Sequence, residues 1–365
     1  MMSPEPMAAS REYLKPPVTE VGVLGWLRGN LFNSWYNSLL TILVLLLLYQ
    51  LVPPLFGWAF VDSLWNSSAE ACRDIDGACW SIIPRNISFI IFGFFPDGQQ
   101  WRPALAMLLL LGLVFYSKDR RHWTRFLAWL WPAGLVIMGT LMYGGVFGMQ
   151  VVETAQWSGL PLTFMLSFFG MVAAYPLGVL LALGRRSQMP AIKTLCVVYI
   201  EIIRGVPLIS LLFMSSVMFP LFLPEGVTID KVLRAQVAII LFASAYIAEV
   251  VRGGLQAMSR GQFEAADSLG LNYNQTMRLI ILPQALKIVI PPSLGILLAT
   301  FKDTSLVVII ALYDVLKTTK VTLSNPKWAS YSTEAYIFLA VFYFFCCYAM
   351  SSYSRKLERT LHTGR

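Results

Sequence analysis

The sequence has few of the residues that bind metals or carry charge. Of its 365 residues only two are histidine, five are cysteine and 13% are charged. Haem and iron–sulfur centres need several His or Cys ligands, so this composition argues against a membrane redox enzyme with many such centres. Two scattered histidines, His122 and His362, also give no basis for a metal site or a catalytic constellation. Apolar residues make up 57% of the chain, which is typical of a protein that crosses a membrane several times.

The apolar runs predict an all-α protein with about eight transmembrane helices. Each crossing of the roughly 30 Å hydrocarbon core takes about 20 apolar helical residues. Such runs lie near 39–60, 103–117, 126–147, 159–183, 195–223, 232–251, 279–299 and 334–353. A further apolar stretch at 304–312 is too short to cross and suggests a re-entrant or interfacial piece.

The basic residues predict which loops face the cytoplasm. With both termini cytoplasmic, Lys and Arg favour the inner segments by about two to one, as the positive-inside rule expects. A loop at about 61–100 is then outside, and a loop at about 255–282 is inside. The outer loop contains Cys72 and Cys79. In an oxidising compartment they either form a disulfide or remain free thiols, and the sequence leaves both open.

The inner loop predicts a short helix with a sharp end. Ser259 and Gln262 have the spacing of a capping box, and Gly270 is a typical helix stop, so we expect two or three helical turns between them. Ala265 and Ala266 give this helix a slim face. Such a helix suits docking into a groove of another protein, and it equally suits lying on lipid headgroups.

The same loop resembles a motif of a known family. The permease subunits of bacterial ABC importers carry E-A-A-x-x-x-G-x9-I-x-L-P, and this chain matches it with Glu264, Ala265, Ala266, Gly270, Ile280, Leu282 and Pro283. Three flanking segments are similar to the polar-amino-acid branch of that family: EIIRGVPL from Glu201, YIAEVVRGG from Tyr246 and KDTSL from Lys302. The likeness extends over about residues 159–359. The three N-terminal spans resemble those of the M-type permease of the general L-amino-acid importer.

This resemblance implies a type I importer fold. A five-helix permease core would occupy residues 151–365, and residues 1–150 would hold a cytoplasmic tail and three extra transmembrane helices. The short inner helix would be a coupling helix that docks on an ATP-binding subunit through Glu264, Ala265, Ala266 and Gly270.

The resemblance also implies the partners of the chain. These are a second homologous permease, two ATP-binding subunits, a periplasmic amino-acid-binding protein and the bilayer of a bacterial inner membrane, with no nucleic acid. The chain has no G-x-x-x-x-G-K-[ST] phosphate loop, so ATP and Mg are expected on the partner ATPase. We therefore expect a non-enzymatic pore subunit without a cofactor of its own.

Two pairs of charged residues lie near the inner ends of predicted spans. Glu201 with Arg204, and Glu249 with Arg252, are each three residues apart and can pair along one helix face. Because an unpaired charge within the bilayer is costly, a partner is expected for each. The pairs are either structural ion pairs at the cytoplasmic interface or parts of an inner gate.

A second polar group follows the seventh predicted span. Lys302, Asp303, Thr304 and Ser305 offer partners for the carboxylate and the ammonium of an amino acid. The alternative is a capped loop with Lys302 in water. Tyr246, on an otherwise apolar span, and Glu249 are further candidates for the substrate path.

A rival function is an ion-coupled secondary transporter of small zwitterionic solutes. Such a transporter is expected to show inverted repeats and a functional carboxylate deep within a span. The sequence shows no convincing internal repeat, and Glu201 and Glu249 both lie near the inner face.

Overall fold

The computed structural model describes residues 22–362, apart from the side chains of residues 120 and 360–362. The predicted cytoplasmic tail before residue 22 lies outside the described residues. Of these described residues 77% are helical, which confirms the all-α class. The helices are α1 Gly22–Asn30, α2 Trp35–Phe56, α3 Ile82–Phe92, α4 Trp101–Ser117, α5 Arg125–Tyr143, α6 Gly159–Arg185, α7 Pro190–Gly205, α8 Leu208–Phe213, α9 Lys231–Gln256, α10 Arg260–Ser268, α11 Tyr273–Gln275, α12 Leu282–Asp303, α13 Val315–Leu323 and α14 Ser332–His362.

The chain divides into two compact units, one ending at Cys79 and one beginning at Trp80. The boundary that the sequence predicts near residue 150 stays a prediction. In the first unit, α2 has apolar side chains on all sides and no buried residue, as expected of an anchor surrounded by lipid. Cys72 and Cys79 are bonded as a disulfide, with their Cα atoms 5.7 Å apart.

The predicted spans take three forms in the structure. Within residues 22–362, six helices are long and apolar enough to cross a membrane: Trp35–Val61, Arg125–Tyr143, Gly159–Arg185, Lys231–Gln256, Tyr273–Ile310 and Ser332–Arg359. The second predicted span is the shorter α4, of 17 residues. The fifth, predicted as one helix, is instead two helices, Pro190–Gly205 and Leu208–Phe222, bent by 105°.

The packing of α6 on α9 forms the centre of the second unit. Gly170, Ala174, Gly178 and Ala182 repeat every four residues along α6, and all four are buried. At Gly178 a Cβ atom would lie 2.6 Å from the Cγ2 atom of Ile247. Small residues therefore allow the two helices to approach closely, as is common between transmembrane helices.

The chain turns back after α12, and α13 packs against α3. The stretch predicted as a separate short piece at 304–312 is in fact largely a 3-10 continuation of α12, Thr304–Ile310, because no helix breaker separates the two. Beyond it, Asp314 caps α13 by accepting from the Lys317 N–H at 2.9 Å. The Thr318 hydroxyl donates to the Ile90 carbonyl of α3 at 2.7 Å. Helix α3 is thereby fixed to the core.

Candidate functional site

The short inner helix is α10, and it ends as the sequence predicts. The N–H of Leu271 donates to the Ala266 carbonyl at 3.2 Å, and the N–H of Gly270 donates to the Asp267 carbonyl at 2.9 Å. Gly270 has φ +68°, a conformation that glycine adopts without strain. Its role as the helix stop is therefore confirmed.

The capping box predicted at the start of α10 is wrong. Ser259 occupies the N-cap position, but its side chain makes no capping hydrogen bond. The Gln262 side chain instead accepts from the Gln284 amide of α12 at 3.0 Å. A capping box with both bonds is present instead at the start of α11, between Asn272 and Gln275.

The residues of the E-A-A motif do not all point the same way. Glu264, Ala265 and Gly270 are exposed, whereas Ala266 is fully buried. Helix α10 packs on the π-helical segment Thr276–Ile281, and the small Ala266 side chain suits a close approach between helices. The exposed residues are therefore available to a partner, and Ala266 contributes to the attachment of α10 to its own chain.

Arg186, one residue beyond α6, contacts α10. Its guanidinium carbon lies 5.9 Å from the centroid of the Phe263 ring, within the range of a cation–π contact. Its Nη1 atom lies 3.4 Å from the Leu255 carbonyl oxygen at the end of α9. An open cavity of about 470 Å³ lies beside Arg186, Phe263 and Glu264. Local patterns in the sequence give no sign of this contact, because Arg186 and Phe263 are far apart along the chain.

An ion cluster joins the C-terminal ends of α6, α7 and α9. Glu249 of α9 accepts from Arg252 Nε at 3.0 Å, and its other oxygen lies 3.5 Å from both Arg185 and Arg204. Glu201 lies 3.1 Å from Arg185. The Glu249–Arg252 pair is therefore present along one helix face.

The predicted Glu201–Arg204 pair is wrong. Arg204 is in the last turn of α7, from which it reaches Glu249 across to α9, while Glu201 reaches Arg185. The guanidinium of Arg204 also lies over the ring of Tyr246, 5.7 Å from its centroid. Tyr246 therefore belongs to this cluster, which contains three arginines and two glutamates.

The second polar group lies at a different level of the bundle. Val289 of α12 lies against Gly254, near the ion cluster, and Lys302 follows about 20 Å further along the same helix. Lys302 is exposed, whereas Thr304 is fully buried and donates to the Phe301 carbonyl at 2.8 Å. Asp303 and Ser305 are half-buried. The structure therefore does not bring Lys302–Ser305 together with Tyr246 and Glu249.

Comparison with known proteins gives the family. A family model described as the inner membrane component of binding-protein-dependent transport systems matches residues 174–363. The chain belongs to this family. It is 50% identical over 347 residues, and 93% of each chain, to the inner membrane amino-acid ABC transporter permease protein YhdY of Escherichia coli (strain K12). It is 36% identical over 414 residues to the glutamate/glutamine/aspartate/asparagine transport system permease protein BztC of Rhodobacter capsulatus, covering 94% of this chain and 95% of BztC.

A solved structure agrees with the family. It is described as the crystal structure of an amino acid ABC transporter with histidines, and it is 31% identical with a TM-score of 0.50 over 55% of this chain and 92% of that one. The type I importer core expected from the sequence is therefore confirmed. The chain is a multi-span permease subunit, a non-catalytic pore component, and the ion-coupled alternative gains no support.

Proposed function

We propose that the chain is one half of an amino-acid importer that is driven by ATP hydrolysis on a separate subunit. The observation that carries the proposal is α10, a fixed inner helix that exposes Glu264, Ala265 and Gly270 beside an open cavity. The amino-acid cargo is supported by the names of two relatives that match almost the whole chain.

The contacts of α10 provide a route for mechanical coupling. When an ATP-binding subunit moves α10, Phe263 moves against Arg186, and the adjacent Arg185 carries the displacement to Glu201 and Glu249. These carboxylates lie on α7 and α9, so three helices move relative to one another. The ion cluster then acts as an inner gate, in keeping with rigid-body mechanisms of alternating access.

The partners follow from this role. Two ATP-binding subunits bind ATP and Mg in the cytoplasm, and this chain has no cofactor of its own. A second homologous permease completes the pore in the inner membrane, a periplasmic protein delivers the amino acid, and both termini of this chain are cytoplasmic.

The amino acid contacts two groups of polar residues at different heights along the bundle. Lys302, Asp303, Thr304 and Ser305 form the first, where exposed Lys302 is available to a carboxylate. Tyr246 and Glu249 form the second, at the ion cluster. Zwitterionic cargo is suited to both levels because each offers a cation and a carboxylate.

The test combines purification with transport. The full chain, purified in mild detergent from the membranes of its native host, should carry an ATP-binding subunit with it. Ala265→Trp places a large side chain on the exposed face of α10 and should abolish both this association and amino-acid uptake. Asn274→Trp, at an exposed position of α11 outside the docking helix, is the matched control and should retain both. Normal uptake by Ala265→Trp would contradict the docking role.

A further inference from the structure

A deep apolar groove lies at the end of the second unit away from α10. It has a volume of about 490 Å³ and is formed by the helical segment Leu208–Phe222 and the first turns of α9. Its walls include Leu211, Met214, Met218, Phe222 and Val237. The volume is within the range of roughly 300–1,000 Å³ that is usual for ligand pockets.

A single cation lies in the wall of this groove. Arg234 donates through Nη1 to the Ser216 carbonyl, while its Nε atom is buried and has no hydrogen-bond partner. Across the described part of the chain, the ion pairs of the structure do not include Arg234. The nearby Asp230 carboxylate is occupied, because it caps α9 at the N–H groups of Val232 and Leu233. Arg234 therefore retains an unused donor and has no ion-pair partner within 4 Å among the described residues.

The position of Arg234 along α9 sets its depth in the bilayer. Helix α9 has 26 residues and is about 39 Å long, whereas the hydrocarbon core is about 30 Å thick. Because Arg234 is in the first turn of α9, it lies at the depth of the lipid headgroups. The apolar walls, which include Val237 and Leu241 further along α9, extend from there into the hydrocarbon.

We propose that this groove binds one phospholipid, with its phosphate on Arg234 and an acyl chain along the apolar walls. A phosphate oxygen would accept from the guanidinium of Arg234, which lines the groove, and pair with its charge, as charge-assisted bonds between arginine and phosphate do. A zwitterionic amino acid fits poorly, because the groove lining contains no carboxylate for its ammonium. A partner helix also fits poorly, because an apolar helix face would leave Arg234 desolvated without an anion.

The binding test uses the full chain after lipid removal in detergent. Phosphatidylglycerol is added, and bound lipid is counted by native mass spectrometry. The unaltered chain should bind about one lipid at this site, and Arg234→Gln should weaken the binding by about tenfold or more. Lys231→Gln is the matched control, since Lys231 is exposed at the same end of α9 and does not line the groove. It should bind as the unaltered chain does. Equal binding by Arg234→Gln would overturn the proposal, and so would displacement of the lipid by inorganic phosphate alone.

A second measurement needs no variant and so does not depend on folding of Arg234→Gln. A phospholipid with a photoreactive acyl chain is incorporated into membranes that contain the unaltered chain, and the cross-linked residues are mapped. Cross-links to Met214, Met218 or Phe222 are expected. Cross-links confined to other surfaces, or from the same residues to a second permease, would contradict the proposal.

Discussion

The guanidinium of Arg186 lies over the ring of Phe263, with 5.9 Å between the guanidinium carbon and the ring centroid. Arg186 follows α6 directly, and Phe263 is in the middle of α10. The preceding residue, Arg185, lies 3.1 Å from Glu201 and 3.5 Å from Glu249. Two consecutive arginines thus connect the proposed docking helix with the ion cluster between three spans.

Phe263→Leu should uncouple transport from ATP hydrolysis. The change keeps an apolar side chain but removes the ring face over which Arg186 lies, a contact of about 0.5–1 kcal/mol. In proteoliposomes that contain the assembled transporter, amino acid moved per ATP hydrolysed should fall by about two- to fivefold. Tyr273→Leu removes an exposed aromatic residue of α11 and should leave this ratio unchanged. An unaltered ratio in Phe263→Leu would exclude the Arg186 route.

Glu249→Gln should destabilise the bundle more than Glu201→Gln. Glu249 faces three arginines and its side chain is 24% exposed, whereas Glu201 faces only Arg185 and is 55% exposed. Removing the shared carboxylate leaves partly buried cations unbalanced, so the free energy of unfolding should fall by about 1–3 kcal/mol. The loss in Glu201→Gln should be about 0–1 kcal/mol. Thermal unfolding in detergent measures both losses of stability. Equal losses would show that pairing of Glu249 with three arginines adds no stability beyond a single pair.

Gly178→Ala should separate α6 from α9. The new Cβ atom would lie 2.6 Å from Ile247 Cγ2 and 2.8 Å from the Ser244 carbonyl oxygen, so the helices must move apart, at about 1–3 kcal/mol. Gly112→Ala is the control, because no atom lies within 4 Å of a Cβ there, and alanine favours a helix by up to about 1 kcal/mol. A loss of stability in Gly112→Ala equal to that in Gly178→Ala would contradict the packing argument.

Asp314 should make stability depend on pH. Burial raises the pKa of its carboxyl, against a smaller lowering by hydrogen bonds from the N–H groups of Lys317 and Leu316. The folded chain then holds the proton more tightly than the unfolded chain does. The free energy of unfolding should therefore fall as pH rises from about 4 toward the raised pKa, by at most about 1.4 kcal/mol per pH unit.

Asp314→Asn should remove this contribution to the pH dependence while it keeps an acceptor for the Lys317 N–H. Thermal unfolding of both proteins between about pH 4 and pH 7 measures the difference. Asp97→Asn alters an exposed carboxyl and should retain the slope of the unaltered chain. The same slope in Asp314→Asn and the unaltered chain would show that Asp314 titrates alike in both states.

Local rules in the sequence predicted much of the inner helix. The position of α10 and its end at Gly270 follow from short-range chemistry, because a glycine with positive φ stops a helix wherever it occurs. The capping residues of α10 did not follow from local rules, because the Gln262 side chain accepts a hydrogen bond from Gln284, a residue of α12. That competition depends on tertiary packing.

The fifth span shows where hydropathy fails. Apolar residues continue through Gly205, Val206 and Pro207, so the run reads as one helix. Val206 is extended, with φ −106° and ψ 133°, as expected of a residue before proline, and Pro207 has no N–H to continue the helical ladder. The break leaves Arg204 in the last turn of α7, from which it reaches Glu249. Spacing along single helices therefore gives the Glu249–Arg252 pair of the ion cluster but not its contacts between helices.

The most direct test of the account is the environment of Ala265 in the assembled transporter. Ala265→Cys is introduced into a chain whose free cysteines, Cys196, Cys346 and Cys347, are replaced by serine, and a bifunctional thiol reagent is applied to membranes. The account predicts a cross-link from Cys at position 265 to an ATP-binding subunit, and protection of that thiol from membrane-impermeant reagents added outside intact spheroplasts. Labelling from the outside without any cross-link to the ATPase would contradict it.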